Sequence, residues 1–359
     1  MIYEKQQYLA FSSDAQRLAA NLEQAYSFWL DARQSLQKLP ASMYWAERSG
    51  HQYLYVKPSG TDNGTSLGAR SPQTEQQFAT VTGEKKQALE RAASADALIQ
   101  SRSALYRRMR MPTLPDKQAE ILRKLDIENL LGTDLMVVGT NAFSAYEWAA
   151  NAIFPAGNEE THDFDLTWCR NTPASLTFAG TESQKKTRKT LFSVLKSIDP
   201  SYKINPRKPY QALDADGYEV ELLAAPSCHP LPKEEAFAPM QTLIEQEWLL
   251  LGSPVSAVVA TARGRACPLT VTDPRFMGLH KLWLADKPER NPLKRDKDRR
   301  QGDVLLDAVR HFMQASHPIN VDFLFSVPDD LRPTFDRWSA DRQFIPSPCA
   351  LPSASSTPA

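Results

Sequence analysis

LMVVGTNAFSAYEWAANAIFPAGNEETHDFDLTW, residues 135–168, decides how this chain is read. Leu135-Met136-Val137-Val138 is a short apolar run of strand type, and it stops at Gly139. From Asn141 to Phe154 the apolar residues Phe143, Tyr146, Trp148 and Ile153 follow a helical pattern. After a polar turn, His162-Asp163-Phe164-Asp165-Leu166-Thr167-Trp168 alternates polar and apolar, as a half-buried strand does. A glycine at the strand end lets backbone approach a ligand closely. The helix that follows aims unpaired N–H groups and its positive end at the same place. A triphosphate is the natural guest, although Gly139-Thr140 alone is more often an ordinary strand-to-helix turn.

The second strand shifts that balance. Side chains two apart project from one face, so Asp163 and Asp165 are expected side by side, with Phe164 turned to the core. Two carboxylates that close repel unless a cation lies between them, and a hard divalent ion takes oxygen ligands. The competing reading is a solvated strand edge or a pair of turn caps. Aspartate is depleted in strands, so two in one short strand favour function. A third carboxylate is expected from Tyr218-Glu219-Val220-Glu221-Leu222-Leu223. Glu221 precedes an apolar pair as Asp165 precedes Leu166, whereas Glu219 is nearer a turn and expected in solvent. Glu221 is therefore assigned as third metal ligand and as base for an attacking hydroxyl.

Outward from this segment the pattern stays mixed. Asp14 to Leu39 is helical, and Met43-Tyr44-Trp45 with Tyr53-Leu54-Tyr55-Val56 reads as a hairpin around Gly50. Thr61 to Gly68 reads as a polar loop, and Pro72 opens a long helix to about Met109. Arginines 102, 107, 108 and 110 near its end suit the helix dipole; the sharper alternative is an RNA face with Tyr106 stacking. Helices are expected over 117–131 and 183–198, hairpins over 210–224 and 255–271, and helix from Pro274 to about Ala315. The tail from Pro346 is rich in Pro, Ser and Ala and is expected to be disordered. The fold class is α+β: a small mixed β-sheet core over 112–272, flanked by a helical region with a hairpin (1–111) and a helical region (273–345).

Lys+Arg and Asp+Glu both number 42, so there is no global field to hold a polyanion and any basic face must be local. The 4 cysteines are far apart with no CxxC pair, which argues against a disulfide framework or zinc site and suits a reducing cytosol. No signal peptide or membrane-length apolar run is apparent, so a cytoplasmic protein with no membrane partner is expected.

The turn Gly139-Thr140-x-Ala142, the Asp163-x-Asp165 strand and the later carboxylate strand resemble the DNA-polymerase-β-like nucleotidyltransferase superfamily. More narrowly, the chain resembles a bacterial family of nucleotidyltransferase-fold proteins over residues 40 to 310 or so. The matching segments are Met43-Tyr44-Trp45 with Tyr53-Leu54-Tyr55, Ser66-Leu67-Gly68-x-Arg70-Ser71-Pro72, Val138-Gly139-Thr140-Asn141-Ala142, His280-Lys281-Leu282-Trp283 and Lys297-Asp298-x-x-Gln301. The resemblance implies Mg²⁺- (or Mn²⁺-) dependent transfer of a nucleoside monophosphate from an NTP to a hydroxyl of RNA, protein or a small molecule. By analogy only, one version is a toxin or defence component; a non-catalytic nucleotide- or RNA-binding protein is the alternative. It also implies Gly139, Thr140, Asn141, Lys281, Lys297 and Arg70 as nucleotide-binding residues. Many relatives carry Asp where this chain has the longer Glu221.

Overall fold

β1 (Leu9–Ala10) leads into α1 (Ser13–Gln37), whose first turn is capped by the Ser12 hydroxyl accepting from the Ala15 amide. β2 (Ser42–Arg48) and β3 (His51–Lys57) form the expected hairpin. Its turn residues Ser49 and Gly50 have φ of 49° and 75°, the backbone twist a tight hairpin needs. The expected loop at 61–68 differs: Thr65–Ala69 is β4, a third strand on the β3 edge. Its side-chain polarity hid this, because backbone groups make the pairing. α2 (Pro72–Arg108) starts in a reciprocal Ser71–Thr74 cap with Pro72 in its first turn. Near its end Tyr106 is fully buried and donates its hydroxyl to the Pro112 carbonyl, so it offers RNA no stacking face.

The chain continues through β5 (Thr113–Leu114), α3 (Asp116–Ile127), β6 (Leu135–Val137), a 3-10 turn (Gly139–Ala142), α4 (Phe143–Ala150), β7 (Ala152–Ile153), β8 (Asp163–Trp168) and α5 (Pro173–Leu176). α6 (Leu191–Ile198), β9 (Lys203–Asn205), β10 (Lys208–Leu213), β11 (Glu219–Ala224), α7 (Gln246–Leu249), β12 (Val255–Thr261) and β13 (Ala266–Val271) follow. α8 (Pro274–Asp286), α9 (Pro292–Phe312), α10 (Val321–Ser326) and α11 (Arg332–Asp341) complete it. This computed structural model describes residues 2, 4–60, 62–155, 163–176, 189–228, 230–238 and 243–348. His162, the first part of the helix expected at 183–198, and the tail beyond 348 lie outside the described residues.

The main sheet has eight strands in the order β5-β12-β13-β6-β8-β11-β10-β9. β8 is antiparallel to β6 and parallel to β11, so the sheet is mixed and the α+β class holds. One hydrophobic cluster takes in Tyr8 and then residues from Leu114 to Trp338, on the main sheet and the helices after it. A second joins α1 and α2 to β12 and β13 through Val258, Ala260 and Ala266. Gly278 on α8 and Gly302 on α9 let those helices cross closely. A Cβ on Gly302 would stand 2.8 Å from the Gly278 carbonyl. No described helix is long and apolar enough to cross a membrane.

Candidate active site

Phe164 is fully buried, and that pins β8: a slip of one residue would bury both of its aspartates instead. Asp163 and Asp165 therefore share the opposite face. Beside them β6 ends and the chain turns through Gly139 with φ +74°. A Cβ at Gly139 would stand only 2.6 Å from Asp165 Oδ2, so glycine alone permits this approach of backbone to carboxylate. The Val138 amide donates to the Asp165 carbonyl at 3.1 Å, which holds the turn against β8. Burial pushes the Asp165 carboxyl up to about 7, and the charges of Asp163 and Glu221 add to it. Lys281 and Lys294 act in the opposite sense.

β11 runs parallel to β8 with Glu221 level with Asp165 and Glu219 level with Asp163. Four carboxylates thus line one face. Gln211, opposite Glu221 on β10, donates its amide nitrogen to Glu219 Oε2 at 2.6 Å and to Glu221 Oε1 at 3.0 Å. Asn205 donates to Gln211 Oε1 at 2.7 Å and so fixes which way that amide points. Glu219, expected in solvent, is half-buried and shares the amide with Glu221. Burial raises the Glu221 carboxyl, with Asp163 adding to it and the Gln211 hydrogen bond opposing. Among the described residues, no three His, Cys, Asp or Glu side chains close around a point that would hold a metal ion.

The other expected residues separate into near and far. Thr140 accepts from Gln301 Nε2 at 3.3 Å, which ties the turn to α9. Asn141 is buried; its amide donates to the Asp163 carbonyl at 2.9 Å and accepts from Gln118 at 3.0 Å. It braces the carboxylate strand against α3. Lys281 is buried, 2.8 Å from Asp298 Oδ1, while Arg290 holds Asp298 Oδ2 through Nε at 2.8 Å. Burial pushes the Asp298 carboxyl up, but Lys281 and Arg290 outweigh it and hold it below its ordinary value. Lys297 is half-buried on α9, one residue before Asp298. Arg70 lies after β4, bonded to Glu75 at 2.6 Å and set over the Trp45 ring. Its partners Glu75, Gln52 and Trp45 belong to α2 and the small sheet, not to the carboxylate face.

A carboxylate pair pressed against a glycine turn, on a mixed sheet with helices behind, is the arrangement the sequence led us to expect. A family model described as nucleotidyltransferase matches residues 116–318, more than half of the chain. The chain belongs to this nucleotidyltransferase family. No curated protein and no solved structure matches it. The matched span contains every carboxylate of the site and the α8–α9 crossing, while the hairpin and Arg70 precede it.

In this member of the family, sequence reading missed two neighbours of the carboxylates. Gln211 is invisible as a site residue because a neutral amide in a strand carries no pattern; only the β10–β11 register puts it opposite Glu221. Lys294, at the start of α9, stands 3.9 Å from Asp163 Oδ2 with its side chain 58% exposed. It was legible only as one charge in a dense run.

Proposed function

We propose that the protein transfers a nucleoside monophosphate from an NTP to a hydroxyl acceptor, with pyrophosphate leaving. The observation that carries this is the contact between Gly139 and Asp165: an anion-binding turn abuts a carboxylate whose proton is held up by burial and like charge. The acceptor oxygen forms a bond to the α-phosphorus as the bridging bond to the β-phosphate breaks, and pyrophosphate departs with that electron pair. Glu221, with its raised carboxyl, is suited to take the acceptor proton. The turn amides after Gly139, with Lys294 nearby, face the negative charge of the triphosphate.

The donor set fits Mg²⁺ or Mn²⁺. Asp163 and Asp165 are adjacent, oxygen-only, and repel one another, which a hard cation relieves. When bound, such an ion neutralises charge developing on the transferring phosphoryl group. Asp163 and Asp165 would hold it, and Glu221 would join them only after turning from Gln211.

That last requirement favours one second reading: a non-catalytic nucleotide-binding protein, with Glu221 held by Gln211 and no three-ligand cluster formed. Incubation with each labelled NTP, Mg²⁺ or Mn²⁺, and total RNA or protein separates the two. Labelled acceptor with pyrophosphate release supports transfer. NTP binding without either supports the second reading.

A further inference from the structure

The small sheet β2–β3–β4 lies outside the matched family span, and α2 packs on one of its faces. Its inner face carries Trp45 and the fully buried Leu54, and Trp45 meets Phe78 of α2 at 5.8 Å between ring centroids. The register pairs Tyr44 with Tyr55, Ala46 with Tyr53, Arg48 with His51, and Ser42 with Lys57, so all of these share the outer face. β4 adds Ser66 and Ala69 to it. Three tyrosines thus stand on one face: Tyr44 is 37% exposed, Tyr53 and Tyr55 are half-buried, and Gly64 before β4 lies against one edge of the Tyr44 and Tyr55 rings. Tyr44 and Tyr55 are stacked, with centroids 5.8 Å apart and planes 17° apart, and Lys57 lies 5.9 Å from the Tyr44 centroid.

The charge on this face has one sign. Arg48, His51 and Lys57 are its ionisable groups besides the tyrosines, and the carboxylate in this register, Glu47 opposite Gln52, belongs to the other face. Among the described residues, neither Arg48 nor Lys57 is paired with a carboxylate. In a chain of zero net charge, a local patch of this kind is selective rather than a by-product of composition.

We propose that this tyrosine face docks single-stranded RNA. Aromatic rings on an open sheet stack unpaired bases, and neighbouring cations meet the phosphates. A duplex keeps its bases inside and cannot use the rings. The tyrosine hydroxyls and His51 supply donors and acceptors for the 2′-hydroxyl, which separates RNA from DNA. That the docked strand is also the acceptor rests on the transfer reading above; the docking does not.

The test is fluorescence anisotropy of the full chain with labelled 12-mers of single-stranded RNA, the same sequence as DNA, duplex RNA, and heparin, without NTP or metal. Single-stranded RNA should bind most tightly. Tyr55→Ala and Tyr44→Ala should each weaken it about 5- to 100-fold, the range of one lost base stack. Lys57→Ala should reduce the salt slope by about one. Tyr55→Phe, which keeps the ring, should retain most of the affinity and guards against a folding artefact. Asp165→Asn should bind RNA as the parent does, which keeps this result separate from any failure of transfer. No RNA binding, equal or tighter binding of DNA or heparin, or unchanged affinity in a folded Tyr44→Ala/Tyr55→Ala protein would each overturn the proposal.

Discussion

Asp165 and Asp298 are both aspartates enclosed by protein, and their protons are held in opposite directions. Asp165 sits with Asp163, Glu219 and Glu221 on one sheet face, and burial together with like charge raises its carboxyl to about 7. Asp298 sits where α8 crosses α9, between Lys281 and Arg290, and these cations hold its carboxyl down against burial. In one region the counter-charge outweighs burial; in the other, where Lys294 stands 3.9 Å from Asp163, it does not. A balanced buried cluster holds its charges by itself; in a crowded acidic one, like charge and burial add, and the cation proposed above would relieve both. The two regions are also linked. Lys281 is felt at Asp165, but its ammonium bonds Asp298, so little positive charge is left for the carboxylate face.

The contrast can be broken most sharply at the acidic side. Asp163→Asn and Asp165→Asn should abolish Mg²⁺-dependent NTP turnover while circular dichroism stays native. Unchanged pyrophosphate release in both variants would remove the catalytic assignment. On the balanced side, Asp298→Asn leaves Lys281 and Arg290 without their anion. It should destabilise the fold by about 3–5 kcal/mol, readable as a lower denaturation midpoint. A neutral result would mean that the crossing does not depend on this charge.

Gly139→Ala comes next. It forces a side chain onto a φ of +74° and into Asp165, so turnover should fall roughly 10- to 100-fold with loss of about 1–3 kcal/mol of stability. The two aspartates should then show opposite pH linkage. The raised carboxyl of Asp165 favours the folded state at low pH, and that contribution is lost as pH rises toward 7. Without metal, Asp165→Asn should therefore melt roughly 3–8 °C above the parent at pH 8 and lose this advantage near pH 4. Asp298, held low, contributes stability above the ordinary carboxylate range and loses it on acidification. The smallest effect is expected at Gln211. Its hydrogen bond lowers the Glu221 carboxyl, so Gln211→Leu should move the acidic limb of the pH–rate profile upward. An unmoved limb would take Glu221 out of the rate-limiting protonation.

Periodicity placed the elements well where side chains face a boundary between core and solvent. α1, α3, β8 and the β10–β11 hairpin alternate or repeat along such a boundary, whereas the β12–β13 hairpin was legible from its apolar runs around Gly264 and is buried almost throughout. Periodicity failed at β4, whose polar residues pair only through backbone, and at both ends of the expected 141–154 helix, where the Gly139–Ala142 turn precedes α4 and left-handed Asn151 ends it before β7. The aspartate pair was legible because i, i+2 spacing is local. Gln211, the partnership of Glu219 with Glu221, and the bond between Lys281 and Asp298 were not, because each joins residues on separate strands or helices.

By itself, then, the sequence determined which side chains share a face: Asp163 with Asp165, Tyr53 with Tyr55, and Phe164 turned away. Backbone geometry repeats every two residues in a strand, and that needs no partner. The tertiary structure alone decided which faces meet. It set Glu221 level with Asp165, put Gly139 against that carboxylate, and gave Lys281 to Asp298. Strand order and helix crossing bring together residues far apart in the chain, and the electrostatics of the site exist only once they have done so.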